Sequence, residues 1–441
     1  MYTEKCSSQT FKPEWIIFLA GLAFCLTQLV ISFSNPIMEQ YSFRQTQTAI
    51  STYWMIKGGP WVAYQTPVIG SPWSLPFEFP FYQWVVAVFA KLMPFLSLDE
   101  AGRVVSEIFF LCTLWPLWRI TSYHRHGWTL FLISSGVLMC SPIYAFWSRG
   151  FMMESAALLF SIWFVAALID FLTKPSACGF AEMALTAVLA AAIKITTFVG
   201  FSFAGALITL YFMYRDRAAF TIREQIAKYV CVSLAIALSI LAVWGWVYYS
   251  DALKSENLIG RLYTGQALKT WNFGTSAQRK SLALLQVIFV RAPSEALGSW
   301  LVVAAATALA LANLKRAQLL IYFSLITLYL APFFVFTNLH LVHHYYQYAN
   351  SIFLVLAVGY IAYVLSLKNR SVAYALLALI FSGQMYGYLK HFHQDLVLPN
   401  REQQLLVADN LRSNTRTKDV FIGFGLDWSS EVPYYAERRA L

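Results

Sequence analysis

Long apolar runs separated by short polar clusters fill the chain from residue 15 to residue 389. A helix needs about 20 mostly apolar residues to cross the hydrocarbon of a bilayer. Windows of that kind fall at 15–34, 104–120, 127–146, 153–172, 180–196, 198–214, 228–248, 297–313, 317–336, 350–367 and 371–389, which predicts about eleven spans, or up to 12-13. The run at 15–34 lacks a small-residue cleavage pattern and reads as a retained first span. Basic clusters between the runs (Arg215, Arg217, Arg223 and Lys228; Lys315 and Arg316; Lys368 and Arg370) mark the inner loops. With Lys5 and Lys12 also inside, Leu98–Arg103, Ser148–Glu154, 249–296, 338–349 and the C-terminal tail fall outside. Phe81–Leu96 is apolar enough to span, yet a crossing there would invert every later loop. Parity therefore lays it on or into the outer leaflet, unless an extra break in the crowded 180–214 region absorbs it.

The segments left outside carry patterns of their own. In the polar, aromatic-rich loop 35–80, Phe43, Ala49, Ile50 and Met55 recur at helical spacing after Glu39. This predicts an amphipathic helix on the membrane surface, closed by Gly58-Gly59-Pro60. Asp251–Ser294 reads as a long loop. In the polar tail 390–441, Lys418-Asp419-Val420-Phe421 reads as a strand entering a turn at Gly423, so a short external α/β cap is expected there. The fold class is thus an all-α polytopic membrane domain over 1–389, with 35–80 as its first external loop and 390–441 as the cap.

Composition agrees. Hydrophobic residues make up 59% of the chain, aromatics 17% and charged residues only 12%, with a mean hydropathy of +0.56. Soluble chains carry about 25% charged residues. The net charge of +10 comes from the inner-loop clusters and does not indicate nucleic-acid binding. Six cysteines sit mostly within or beside apolar runs, without the spacing of a zinc site or a disulfide framework.

Because charge is scarce, the polar groups at helix ends are the candidates for chemistry. Glu39, Arg44 and Gln45 follow the first span directly, and Glu39 would lie where a helix dipole favours a carboxylate. Glu78 is bracketed by Pro76, Pro80 and aromatic rings that would fix and shield it. Glu154 heads an apolar helix, with Arg149 as its expected partner. Lys194 stands inside an apolar stretch, and Arg261, Lys269 and Arg291 could meet an anionic ligand. His340, His343, His344, Tyr345, Tyr346 and Gln347 could donate hydrogen bonds to a phosphate or sugar. His340 and His344 at i,i+4 are also compatible with metal, so a divalent cation stays open, although that loop holds no carboxylate. For each group a structural role, as a cap, ion pair or interfacial belt, is the competing reading. No Walker-type loop and no Gly-rich dinucleotide turn is present.

These residues resemble the GT-C superfamily of integral-membrane glycosyltransferases, especially the protein O-mannosyltransferase and lipid A aminoarabinose transferase group. Those enzymes carry an acid just after span one, then an Arg-containing amphipathic helix, a Gly- and Pro-rich stretch and an acid-plus-proline motif. Here Glu39-Gln40-Tyr41-Ser42-Phe43-Arg44-Gln45, Glu78-Phe79-Pro80, Glu154, His343–Tyr346 and the tail Asp427-Trp428…Glu431 stand in the corresponding order. Where the family usually has Asp, often Asp-Glu, this chain has Glu39 followed by Gln40. The resemblance implies a polyprenyl-phosphate-sugar donor and a lipid, glycan or protein acceptor, joined on the external face with inversion. Glu39 would act as base, with Glu78 and Glu154 as further acids. Arg44, Lys194, Arg261 and Lys269 would hold the phosphate, and Tyr82 would line a groove for the prenyl tail. The bacterial look of the tail points to a bacterial inner membrane. A flippase, or a polymerase or ligase of lipid-linked saccharides, is the competing class. The acids cluster at one face and no repeat relates the two halves, which disfavours a transporter.

Overall fold

The computed structural model describes residues 13–216, 221–396 and 402–441. The predicted inner anchors Lys5, Lys12 and Arg217, and Cys6, lie outside these residues. The chain is an all-α polytopic membrane protein. Among the described residues eight helices are long and apolar enough to cross a membrane, or nine when one sharply bent pair counts as a span.

Helix α1 (Pro13–Ser32) is followed by α2 (Ser42–Ile56) and α3 (Phe81–Leu92). At about 1.5 Å per residue, α3 is too short for a bilayer. α4 (Leu98–Cys112) runs on into α5 (Leu114–Ser122) as one 25-residue segment. Its start is fixed by a capping box between Ser97 and Glu100, so Leu98–Arg103 is helix rather than the expected loop. α6 (Gly127–Cys140) breaks at Ser141 into α7 (Pro142–Trp147). α1 and α6 approach through Gly21 and Gly136: a Cβ at Gly21 would sit 2.7 Å from the Gly136 carbonyl oxygen. Small residues that let backbones meet are a usual device between membrane helices.

α8 (Glu154–Thr173) is flanked by α9 (Ala177–Asp216), whose helical geometry is interrupted at Lys194. Both arms of α9 lie along α8. Phe180 meets Phe171, Lys194 reaches Glu154, and Phe198 returns to Phe164 at 5.2 Å between ring centroids. The break therefore sits at the end of the bundle where α8 begins. α10 (Ile222–Ser255) follows. The stretch expected as a plain loop holds α11 (Lys269–Phe273), α12 (Ser276–Arg279), α13 (Leu282–Gln286), a π turn at Val287–Arg291 and α14 (Ala292–Leu297). Gly298, at φ +79°, then turns the chain by 93° into α15 (Trp300–Asn313). α16 (Arg316–Val335), α17 (Thr337–Val342), a 3-10 turn (His344–Tyr346), α18 (Gln347–Lys368) and α19 (Arg370–His391) complete the bundle. α18 is its most buried span.

The tail folds as α20 (Glu402–Asn414), α21 (Glu431–Ala436) and a parallel pair of two-residue strands, β1 (Val420–Phe421) and β2 (Arg439–Ala440). It grips the first loop. Tyr435 accepts a hydrogen bond from the Ile37 amide at 2.7 Å, and its hydroxyl, with that of Tyr434, donates to Asp99. Tyr53 donates to Glu437 at 2.7 Å and Ser42 to Glu431. Backbone bonds join Ala440 to Pro67 and Gly70. This cover changes α2: residues Gln45 to Met55 are all buried, polar ones included, so the helix is enclosed rather than lying half-wet on a membrane surface.

Candidate active site

Two ion-paired groups form at the end of the bundle where the first loop lies. Glu39 is 1% exposed and lies in the turn before α2, where the Ser42 amide bonds its carbonyl. Arg149 donates to both carboxylate oxygens at 2.9 Å, and Arg103 donates to Oε1 at 2.6 Å. Both arginines are fully buried. Burial alone would raise the Glu39 pKa, but Arg149 and then Arg103 outweigh it and hold the carboxyl below its ordinary value. Glu39 thus has no open face, and arginines take both its carboxylate oxygens. Arg149 serves Glu39 and not Glu154. Arg103 was missed as a site residue because the sequence reading put it in a loop.

The second group is more open. Arg44, on the first turn of α2, pairs with Glu78, whose side chain is 25% exposed. Glu78 ends the loop that leads into α3. Its carbonyl accepts from the Tyr64 hydroxyl at 3.1 Å, which fixes the backbone there. Burial pushes its carboxyl up, while Arg44, helped by Lys194, prevails and lowers it. Lys194, at the break in α9, pairs with Glu154 at the start of α8, both buried. Its ammonium stands 4.4 Å from the centre of the Tyr346 ring and 5.1 Å from that of Tyr345. His343 packs on Tyr345 and Tyr41, at 5.3 and 5.5 Å between ring centroids. Burial, then Arg44 and Lys194, lower its pKa to about 4, so it is neutral near pH 7. Arg44, Glu78, Glu154, Lys194, His343 and Tyr345 are thus brought together, with Tyr41 and Tyr346 beside them.

The remaining candidates lie elsewhere or are already occupied. Gln45 is buried, accepting from the Phe151 amide at 3.1 Å and donating to the Gln40 carbonyl. Tyr82 is fully buried, bonded to Ser106 and to the Gly102 carbonyl, and lines no groove. Arg261 turns back to the Ser255 carbonyl at 3.0 Å, and Lys269 is exposed on α11. His344 bonds Glu295 at 2.6 Å, a partner from α14 that no local reading could supply. His343 is extended, so the helix breaks between His340 and His344 and their i,i+4 face does not form. Among the described residues no group of three or more His, Cys, Asp and Glu side chains gathers as metal ligands would.

The tail brings Trp428 against the residues next to Arg44 and Glu78. Its ring packs on Phe43, Phe77 and Tyr263, at 4.7, 5.5 and 4.5 Å between centroids. Phe43 and Phe77 immediately precede the two paired residues.

By sequence the chain matches no protein-family model and no curated protein. Its structure is similar to those of GT-C glycosyltransferases. ArnT from Cupriavidus metallidurans bound to undecaprenyl phosphate aligns over 95% of this chain and 85% of its own, with a TM-score of 0.62 at 12% identity. The oligosaccharyltransferase AglB from Archaeoglobus fulgidus, in complex with an inhibitory peptide and a dolichol-phosphate, aligns over 98% and 65%, with a TM-score of 0.61 at 11% identity. The mycobacterial arabinofuranosyltransferase AftD covers 99% of this chain over 32% of its own, with a TM-score of 0.54 at 13% identity. The chain has the fold that these enzymes share.

Proposed function

We propose that this protein is a membrane glycosyltransferase that moves a sugar from a polyprenyl-phosphate-linked donor to an acceptor hydroxyl, at the face where the first loop lies. The observation that carries the reading is the meeting of Arg44–Glu78 with Lys194–Glu154 around Tyr345 and Tyr346. The fold supports it, since two of its neighbours hold undecaprenyl phosphate and dolichol-phosphate.

In this reading the donor phosphate binds Arg44 and Lys194 by charge-assisted hydrogen bonds. Taking Arg44 away from Glu78 leaves that carboxylate in a mostly buried place without its strongest partner. Its proton affinity then rises, and it becomes the base. The acceptor oxygen attacks the anomeric carbon, its proton passes to Glu78, and the bond from that carbon to the phosphate oxygen breaks. Polyprenyl phosphate departs against Arg44 and Lys194, and the anomeric configuration inverts. Glu154 orients Lys194. Glu39 supports the loop from beneath through its two arginines.

The test is transfer by purified full-length protein from a panel of radiolabelled polyprenyl-phosphate sugars to membrane-extract acceptors. Replacing Glu78→Gln is expected to lower kcat by roughly 10²- to 10⁴-fold, the usual worth of a general base, while donor binding persists. Transfer by Glu78→Gln at the wild-type rate would remove Glu78 from the mechanism. No transfer by wild type from any donor, with lipid-sugar binding retained, would favour a flippase.

A further inference from the structure

A cleft of about 700 Å³, lined by none of the ion-paired residues above, lies between the π turn and α14 on one side and the end of α19 on the other. Its size is that of a small-molecule site. Two cations line it, Arg291 and Lys390, and no Asp or Glu among the described residues does. Arg291 donates to the carbonyls of Leu341 and His340 through its two terminal nitrogens. Its Nε is buried, lies 3.9 Å from Glu295 and has no hydrogen-bond partner among the described residues. Lys390 makes no ion pair among them and hangs 5.6 Å from the centre of the Tyr386 ring. Val290, Trp300 and Tyr386, all lining the cleft, are 46%, 49% and 59% exposed and give it an open apolar wall.

An unpaired cation, Lys390, beside Arg291 and exposed apolar and aromatic residues suits a ligand that is anionic at one end and greasy at the other. We infer that this cleft binds a phosphate-headed lipid, its phosphate at Lys390 Nζ beside the Arg291 guanidinium and its chains along Val290 and Trp300. The site is separate from the donor site proposed above. Arg291 also holds the segment leading into His343–Tyr346, so the lipid headgroup would rest against the back of that segment.

The experiment uses full-length protein in dodecyl maltoside and follows binding of fluorescent phosphatidylglycerol by polarisation. Lys390→Glu is expected to weaken binding by about tenfold or more, the effect of losing one good charged contact. Val290→Trp, which fills the cleft without touching charge, should do the same. Lys174→Glu, exposed at the other end of α8, should leave binding unchanged. Unlabelled phosphatidylcholine should compete at least about tenfold less well than phosphatidylglycerol. Equal competition by undecaprenyl phosphate would support the site and assign it to phosphate-headed lipids at large. Displacement by inorganic phosphate alone would overturn the lipid assignment in favour of a free-phosphate site. Phosphatidylcholine binding as well as phosphatidylglycerol, or affinity unmoved by both Lys390→Glu and Val290→Trp, would overturn the site itself.

Discussion

At the scale of single residues, this protein separates two carboxylates that the sequence presents alike. Glu39 and Glu78 both lie in the first loop beside aromatic residues. The difference is made by residues far along the chain, Arg103 and Arg149, which close on Glu39, while Glu78 pairs with Arg44 in a more open place. Breaking a buried ion pair by removing one member costs about 3–5 kcal/mol, because the other charge is left uncompensated. Glu39→Gln is therefore expected to lower the melting temperature in detergent by many degrees, and Glu78→Gln by fewer, because its pair is partly exposed and Arg44 keeps a bond to Gln47. The pH dependence follows from the sign of the shift. The Glu39 carboxyl is held below its ordinary value in the folded protein. Its contribution is fully present above the unfolded pKa, about 4.3, and is lost as pH falls through the lower folded value. The melting-temperature gap between wild type and Glu39→Gln should thus be constant above about pH 5 and shrink below about pH 4. A gap that instead widens on acidification would show that Glu39 is not held ionised by its arginines. The acidic residues and Lys194 were legible in the sequence because charge in apolar surroundings needs a reason. Their pairing was not, since Arg149 is five residues from Glu154 yet turns to Glu39.

At the scale of elements, hydropathy reported the spanning helices well, because a bilayer demands unbroken apolar length. Each of the eleven apolar runs falls largely on helix, but among the described residues only eight helices, or nine with the bent pair, are long and apolar enough to span: 127–146 breaks at Ser141, and 180–196 and 198–214 form one element interrupted at Lys194. The method failed where polar residues are buried by protein. α2 looked amphipathic and surface-bound, since a pattern of alternating residues cannot say whether the polar face meets water or another chain segment. Leu98–Arg103 looked like a loop for the same reason, its arginine being neutralised inside the fold. The α1–α6 contact offers a test at this scale. A side chain at Gly21 would meet the Gly136 backbone directly, and overpacking of this kind costs typically 1–3 kcal/mol. Gly21→Leu should push α1 away from α6 and lower both yield and melting temperature. Gly245→Leu, at a glycine with open space around it, should do neither.

At the scale of the whole molecule, the tail and the first loop make one unit although they lie at opposite ends of the chain. The staples through Tyr434, Tyr435 and Glu437, together with Trp428 on Phe43 and Phe77, predict that removing residues 402–441 uncovers α2. Amide exchange in Ser42–Ile56 should then speed up strongly, and sugar transfer should fall even with donor binding retained. Unchanged exchange would mean that the loop holds its shape without the tail. The sequence could suggest a cap, from Lys418–Gly423, but not its seat, which depends on bonds such as the one between Ile37 and Tyr435 across 398 positions. That separation also has a meaning in time. At a synthesis rate of about 5–20 residues per second, the first loop emerges about 20 to 80 s before the tail that covers it. For that interval Ser42 and Tyr53 of α2 lack their partners Glu431 and Glu437, so a chain stalled late in synthesis carries an unsealed first loop.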